Sequence, residues 1–189
     1  MTASALPLRC VIDTNVAKTA NGEHTGASAE CESACAIALQ VFLKQGHLFI
    51  DDAFGDSQEN NRRESRIVTE YSLNLSRRGQ PGPGDAFFKW VLDNEWYEDK
   101  ITRVPITPCQ RDSDIGFAEL PSPPEGVHYD PSDRKFLAVA AAHPEHPPIW
   151  QALDSKWWGW TAALAEAGIS VHFLCPEEIA RKHREKMGT

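Results

Sequence analysis

This sequence predicts an α/β fold: a mostly parallel sheet covered on both faces, a three-layer α/β/α sandwich. Two observations carry that expectation. Short apolar runs of strand length alternate with longer segments whose apolar residues recur at helical spacing. Two of the runs, residues 10–12 and 149–153, lead into carboxylates, Asp13 and Asp154. In open α/β sheets the carboxyl ends of the strands are where ligands bind.

Taken in order, residues 10–12 form the first strand, and residues 17–29, polar and containing Gly22 and Gly26, have the composition of a loop. Ser28 is placed to cap a helix over 30–44, with Glu30 and Glu32 in the first turn, where the helix dipole favours negative charge. Ala34, Ile37, Ala38, Val41 and Phe42 form its apolar face, and Gly46 closes it. A strand over 47–50 ends in Asp51 and Asp52. A helix over 60–77 stops at the breaker Gly79-Gln80-Pro81-Gly82-Pro83-Gly84, and one over 85–94 has Phe87, Phe88, Trp90, Val91 and Leu92 to bury. Residues 101–106 are strand-like.

Residues 107–128, rich in Pro, Asp and Gly, predict a long irregular insertion. Asp130 as cap, Pro131 at the first helical position and Asp133 at the third open a helix that runs to His143-Pro144. A strand over 149–153, a helix over 157–167 stopped by Gly168, a strand over 169–175 and a C-terminal helix over about 176–187 complete one domain over 1–189.

The net charge of −8 counts against a uniformly basic nucleic-acid binder. The charge is uneven, however. Arg62, Arg63, Arg66, Arg77 and Arg78 crowd one segment, and Arg181, Lys182, His183, Arg184 and Lys186 crowd the tail, which reads as a solvated helix face. No apolar run approaches a membrane span and no signal peptide is expected, so the expected location is cytoplasmic. Five cysteines at irregular spacing suit reduced thiols better than a disulfide framework.

The acids share one grammar. Asp13 and Asp154 end strands, Asp133 sits in the first turn of a helix, and Glu70 borders the apolar face made by Ile67, Val68 and Tyr71. Carboxylates gathered closely repel one another, so such a cluster makes sense chiefly as a cage for a hard divalent cation.

In this order of acids the chain resembles the PIN-domain family of metal-dependent nucleases. Val11-Ile12-Asp13-Thr14-Asn15-Val16 is similar to the family's opening motif, and Val68-Thr69-Glu70-Tyr71 to its helical glutamate. The stretch Asp130-Pro131-Ser132-Asp133-Arg134-Lys135-Phe136-Leu137-Ala138-Val139-Ala140 resembles the third motif, with Asp133 in the acidic position. Asp154 falls where a fourth acid belongs, although Gln151-Ala152-Leu153 precede it where the family usually carries a small hydroxyl residue just before the acid.

The resemblance implies phosphodiester hydrolysis, preferably of single-stranded RNA, with Asp13, Glu70, Asp133 and Asp154 holding one or two Mg²⁺ or Mn²⁺ ions. It implies that Thr14 and Asn15 orient Asp13 by hydrogen bonds or touch the ion's water shell, and that Arg62, Arg63 and Arg66 hold substrate phosphates. By analogy with toxins of similar size, an antitoxin or other regulatory protein, or a second copy of the chain, is an expected partner.

Each piece has a plainer reading. Asp13 alone could be a strand-end turn residue, Asp130 a cap, Asp133 a dipole partner and Glu70 a surface acid; only their joint order favours catalysis. Cys31 and Cys35 read as core thiols, and Trp157 and Trp160 as a core face rather than a base-stacking platform. His128, His143 and His146 lack metal spacing. The rival functions are a silent PIN-like RNA-binding or interaction module and, less well supported, a phosphatase with Asp13 as nucleophile. The phosphatase reading needs a second Asp where Asn15 stands. A dinucleotide-binding dehydrogenase lacks its Gly-rich turn.

Overall fold

The computed structural model describes residues 6–52, 65–111 and 114–188. Among these residues, five strands form one wholly parallel sheet flanked by helices, the expected α/β/α sandwich. The strands are β1 (Arg9–Ile12), β2 (His47–Asp51), β3 (Ile101–Val104), β6 (Ile149–Gln151) and β7 (Val171–Phe173), in spatial order β3-β2-β1-β6-β7. Arg9 lies opposite His47 and Val11 opposite Ile149, so β1 is flanked on both edges. The chain winds outward from β1 to β3, then returns to the other side of β1. That reversal leaves a crevice at the carboxyl end of β1. Cys10, Val11, Ile12, Leu48, Phe49, Ile50, Ile149 and Trp150 are wholly buried, which explains why these strands read as continuous apolar runs.

The helices are α1 (Thr14–Ala20), α2 (Ala29–Gln45), α3 (Arg66–Asn74), α4 (Pro83–Asn94), α5 (Arg134–Ala142), α6 (Ser155–Glu166) and α7 (Pro176–Met187). Helices α1, α2 and α4 pack on one another, and α5 lies on β1 and β2. Phe42 of α2 meets Phe87, Trp90 and Trp150 edge-on, with ring centroids 6.0, 5.5 and 5.6 Å away. These edge-to-face contacts add to the gain from burial itself. Gly84 is needed where α4 crosses α1, because a Cβ there would collide with the Ala17 carbonyl. Trp157 and Trp160 are buried in the core, as expected.

Several expectations are corrected. Residues 17–20, expected in a loop, belong to α1, because Asp13 accepts the Asn15 N–H and Val16, Ala17 and Ala20 bury one face. In α2 the buried stripe is Cys31, Cys35, Ala38, Leu39 and Phe42; Ile37 points outward, 57% exposed. Helix α3 ends at Asn74, where Leu75 turns extended; residues 60–64, expected in its first turns, lie outside the described residues. The irregular insertion contains an antiparallel hairpin, β4 (Pro108–Arg111) and β5 (Asp114–Phe117), which Arg134 holds by donating from Nη1 to the Ile115 carbonyl at 3.2 Å. Helix α5 begins at Arg134 with Asp133 as its N-cap residue, and Asp130 is occupied by an ion pair with Lys156 instead of capping.

The five thiols are not all free. A disulfide joins Cys31 to Cys175 across 144 residues, with Cα atoms 5.5 Å apart, while Cys10, Cys35 and Cys109 are free. Spacing in the sequence carries no sign that α2 meets the turn before α7. Among the described residues no helix is long and apolar enough to cross a membrane.

Candidate functional site

Two kinds of strand-end acid occur, and their hydrogen bonds separate them. Asp51, at the end of β2, is fully committed: it accepts from Ser65 Oγ at 2.5 Å, Arg66 N at 2.7 Å and Ile67 N at 2.9 Å. It anchors the first turn of α3, where unpaired N–H groups and the helix dipole favour a carboxylate. Asp13, at the end of β1, gives Oδ1 to the Asn15 N–H at 2.8 Å and is 4% exposed. Asp133 starts α5 without a capping bond from its side chain, and its Oδ2 is buried with no hydrogen-bond partner. A buried carboxylate oxygen left unpaired is costly and calls for an occupant.

Asp13, Glu70, Asp133 and Asp154 line a single cavity of about 340 Å³ at the carboxyl edge of the sheet. All four acids named from the sequence thus border one cavity, without forming a close cluster. Asp154 caps α6, accepting the Lys156 N–H at 3.1 Å, and remains half-buried at the cavity wall. The groups interact electrically. Burial, and then the charge of Glu70 and Asp154, push the Asp13 carboxyl up to about 7. Burial, and then the charges of Asp13, Asp154 and Asp130, push Asp133 up to about 8.

Glu70 is held differently. Thr14 Oγ1 donates to its Oε1 at 2.5 Å, and its Oε2 forms an ion pair with Lys135. Thr14 therefore positions Glu70 rather than Asp13. Asn15 does serve the Asp13 turn through its backbone, while its side chain accepts the Ala152 N–H at 2.9 Å and ties the start of α1 to the end of β6. Among the described residues no three acids bring ligand atoms within 4.8 Å of one another; Cys31, Cys35 and Cys175 do.

Arg66 lies beside a second cavity of about 520 Å³ that shares Glu70 and also holds Lys135 and Phe117. Its guanidinium is 5.8 Å from the Phe117 ring centroid, and its Nε is buried without a partner. Arg62 and Arg63 lie outside the described residues.

Sequence reading missed the cations of the site. Lys135, Lys18, His24 and Lys186 line or face the acid cavities, so one residue of the exposed basic tail, Lys186, stands at the site wall. Lys135 follows Asp133 by two residues and could have been noticed there. Lys186 and His24 leave no local signal, since only the fold brings α7 beside the loop after α1.

No family model matches this chain, and no curated protein or solved structure matches it.

Proposed function

We propose that this protein is a divalent-metal-dependent endonuclease of the PIN-like kind, hydrolysing phosphodiester bonds in single-stranded RNA. The observation that carries the reading is the unpartnered buried Oδ2 of Asp133, a residue that lines one cavity together with Asp13. The donors there are mainly carboxylate, hydroxyl and amide oxygens, with the His24 imidazole at the wall, a set that fits Mg²⁺ or Mn²⁺. Asp13 and Asp133 would hold the ion, with Asp154 at the rim and Glu70 as an outer acid while Lys135 pairs with it.

When bound, the ion supplies activation of water and charge stabilisation on the phosphate. The remaining roles fall to the chain. Thr14 and Lys135 hold the Glu70 carboxylate in place, and the Asn15 N–H fixes one oxygen of Asp13. Arg66 and Lys135 present cations to a phosphate lying across the shared Glu70 wall, and Lys18 and Lys186 do so from the other side. The acidic net charge is compatible with this, because Lys18, Arg66, Lys135 and Lys186 line the two cavities beside the acids. A cytoplasmic location goes with this reading, and an antitoxin-like regulator is its proposed partner by analogy.

A second reading is a silent RNA-binding or interaction module. It is favoured by the occupied Glu70 and by the wide spacing of the acids. Incubating mixed single-stranded RNA with the purified chain and Mn²⁺ separates the two. The nuclease reading expects cleavage that chelation abolishes and that falls to background in Asp13→Asn and Asp133→Asn. RNA binding without cleavage, or equal cleavage in all three chains, rejects it.

A further inference from the structure

Cys31 and Cys35 stand about one helical turn apart on α2, so their side chains share a face, and Cys175 meets them from the N-cap of α7. All three residues are buried, and the three sulfurs lie within 4.8 Å of one another. Cys35 Sγ is 3.9 Å from Cys175 Sγ. That matches two thiolates sharing one tetrahedral ion at about 2.3 Å from each. Glu178, in the first turn of α7, is held beside the cluster by Ser28 Oγ, which donates to its Oε2 at 2.6 Å. A cavity of about 610 Å³, lined by Cys31, Cys175, Ser28 and Glu178, opens at the cluster.

Core filling accounts for Cys10, which is wholly buried in β1. It does not account for two thiols one turn apart on α2 meeting a third from 140 residues further along, beside an open cavity with a carboxylate at its edge.

The geometry points to a thiolate metal site: in the reduced chain, Cys31, Cys35 and Cys175 bind one Zn²⁺ ion, with Glu178 or a water from the cavity as fourth donor. The Cys31–Cys175 disulfide and the ion use the same two sulfurs and exclude each other. In a reducing compartment the pair is two thiols and the site is open. Binding exchanges three thiol protons for three sulfur–zinc bonds, with no change in oxidation state. The sulfur set and the oxygen-lined cavity then sort metals by softness, zinc to the first and magnesium or manganese to the second.

The test reduces the full chain with a phosphine, which takes oxygen from water as the disulfide becomes two thiols. After the phosphine is removed, Co²⁺ is titrated as an absorbing stand-in for Zn²⁺. The expected result is one equivalent of sulfur-to-cobalt charge-transfer absorption, displaced by one equivalent of Zn²⁺ and absent from the oxidised chain. The band persists in a chain carrying Asp13→Asn and Asp133→Asn, since carboxylates give no such absorption. Cys35→Ser, which leaves the disulfide pair intact, weakens binding by about 100-fold or more. Cys109→Ser, at an exposed thiol, changes nothing. If Cys35→Ser does not fold, alkylation of the reduced parent decides: Zn²⁺ slows modification of Cys31, Cys35 and Cys175 but not Cys109. No charge-transfer band in the reduced parent, a band unchanged by Cys35→Ser, or alkylation rates indifferent to Zn²⁺ would overturn the site.

Discussion

Lys135 pairs with Glu70 across the edge of the acid cavity, joining α5 to α3. Lys135 is nearly buried, with its side chain 9% exposed, so the pair is poorly screened and its charge also reaches Asp13 and Asp133. The lysine thus neutralises part of the cluster, and on the proposed function it would compete with an ion for Glu70. In Lys135→Met, Mn²⁺ affinity measured by calorimetry should rise about tenfold, the equivalent of about 1.4 kcal/mol. The melting temperature in chelator should fall. Unchanged or weaker Mn²⁺ binding would contradict the competition.

Replacing Asp13 or Asp133 by Asn removes charge with almost no change of shape. Asn at position 13 still offers an oxygen to the Asn15 N–H. Each change should abolish Mn²⁺ binding and reduce RNA cleavage by at least about 100-fold. Each should also stabilise the metal-free chain by on the order of 2 kcal/mol, because a buried charge and its repulsion are relieved. Urea denaturation in chelator measures this. Destabilisation by both variants would show that these acids serve the fold and not an ion.

How far the sequence reveals this arrangement depends on the range of the interaction. Asp13 and Asp133 are legible because each is marked by its own neighbours, an apolar strand before the first and an Asp-Pro-Ser turn before the second. The parallel sheet, though not its strand order, follows from the alternation of elements, since parallel neighbours need helical crossovers. Helix α1 is hidden because its seven residues mix Thr, Asn and Lys with alanines, and its cap is the same Asp13 that points to catalysis. The β4–β5 hairpin is hidden by Pro, Asp and Gly, which usually mark loops. The Glu70–Lys135 pair, the Cys31–Cys175 bond and the placement of Lys186 exist only once distant elements pack together. No local pattern encodes them.

The raised carboxyls of Asp13 and Asp133 set a pH dependence whose sign is fixed. Their ordinary value is 3.8, and in the folded chain they stand at about 7 and about 8. Between those limits the folded form binds more protons than the unfolded form, so its stability is fully present at the acid end. That stability is lost as pH rises through about 7 to 8. Thermal melts of the metal-free chain should therefore show these two groups favouring lower pH. Saturating Mn²⁺ should flatten the trend, because the ion replaces the protons. A metal-free profile that gains stability from pH 6 to 8, and is the same in Asp13→Asn, would refute it.

Arg66 has a buried Nε without a partner and lies in the cavity that shares Glu70. If that cavity takes substrate phosphate, Arg66→Ala should weaken single-stranded RNA binding and lower the slope of log affinity against log salt by about 0.7. Mn²⁺ affinity should be unaffected, since Arg66 is not a donor to the ion. Equal salt slopes in the two chains would remove Arg66 from the substrate path.

Asp51 provides the contrast that tests the division of labour among the acids. Its three accepted hydrogen bonds all belong to the start of α3, the helix that carries Glu70. Asp51→Ala strands the Ser65 hydroxyl and two backbone N–H groups in a buried setting. The expected cost is about 3 kcal/mol, or about 6–12 °C in melting temperature for a chain of this size. Unlike Asp13→Asn and Asp133→Asn, it should lower stability with or without Mn²⁺, and below the melting transition the ion should still bind. Loss of the ion without loss of stability would move Asp51 into the metal cluster and remove the distinction between committed and free carboxylates on which the assignment rests.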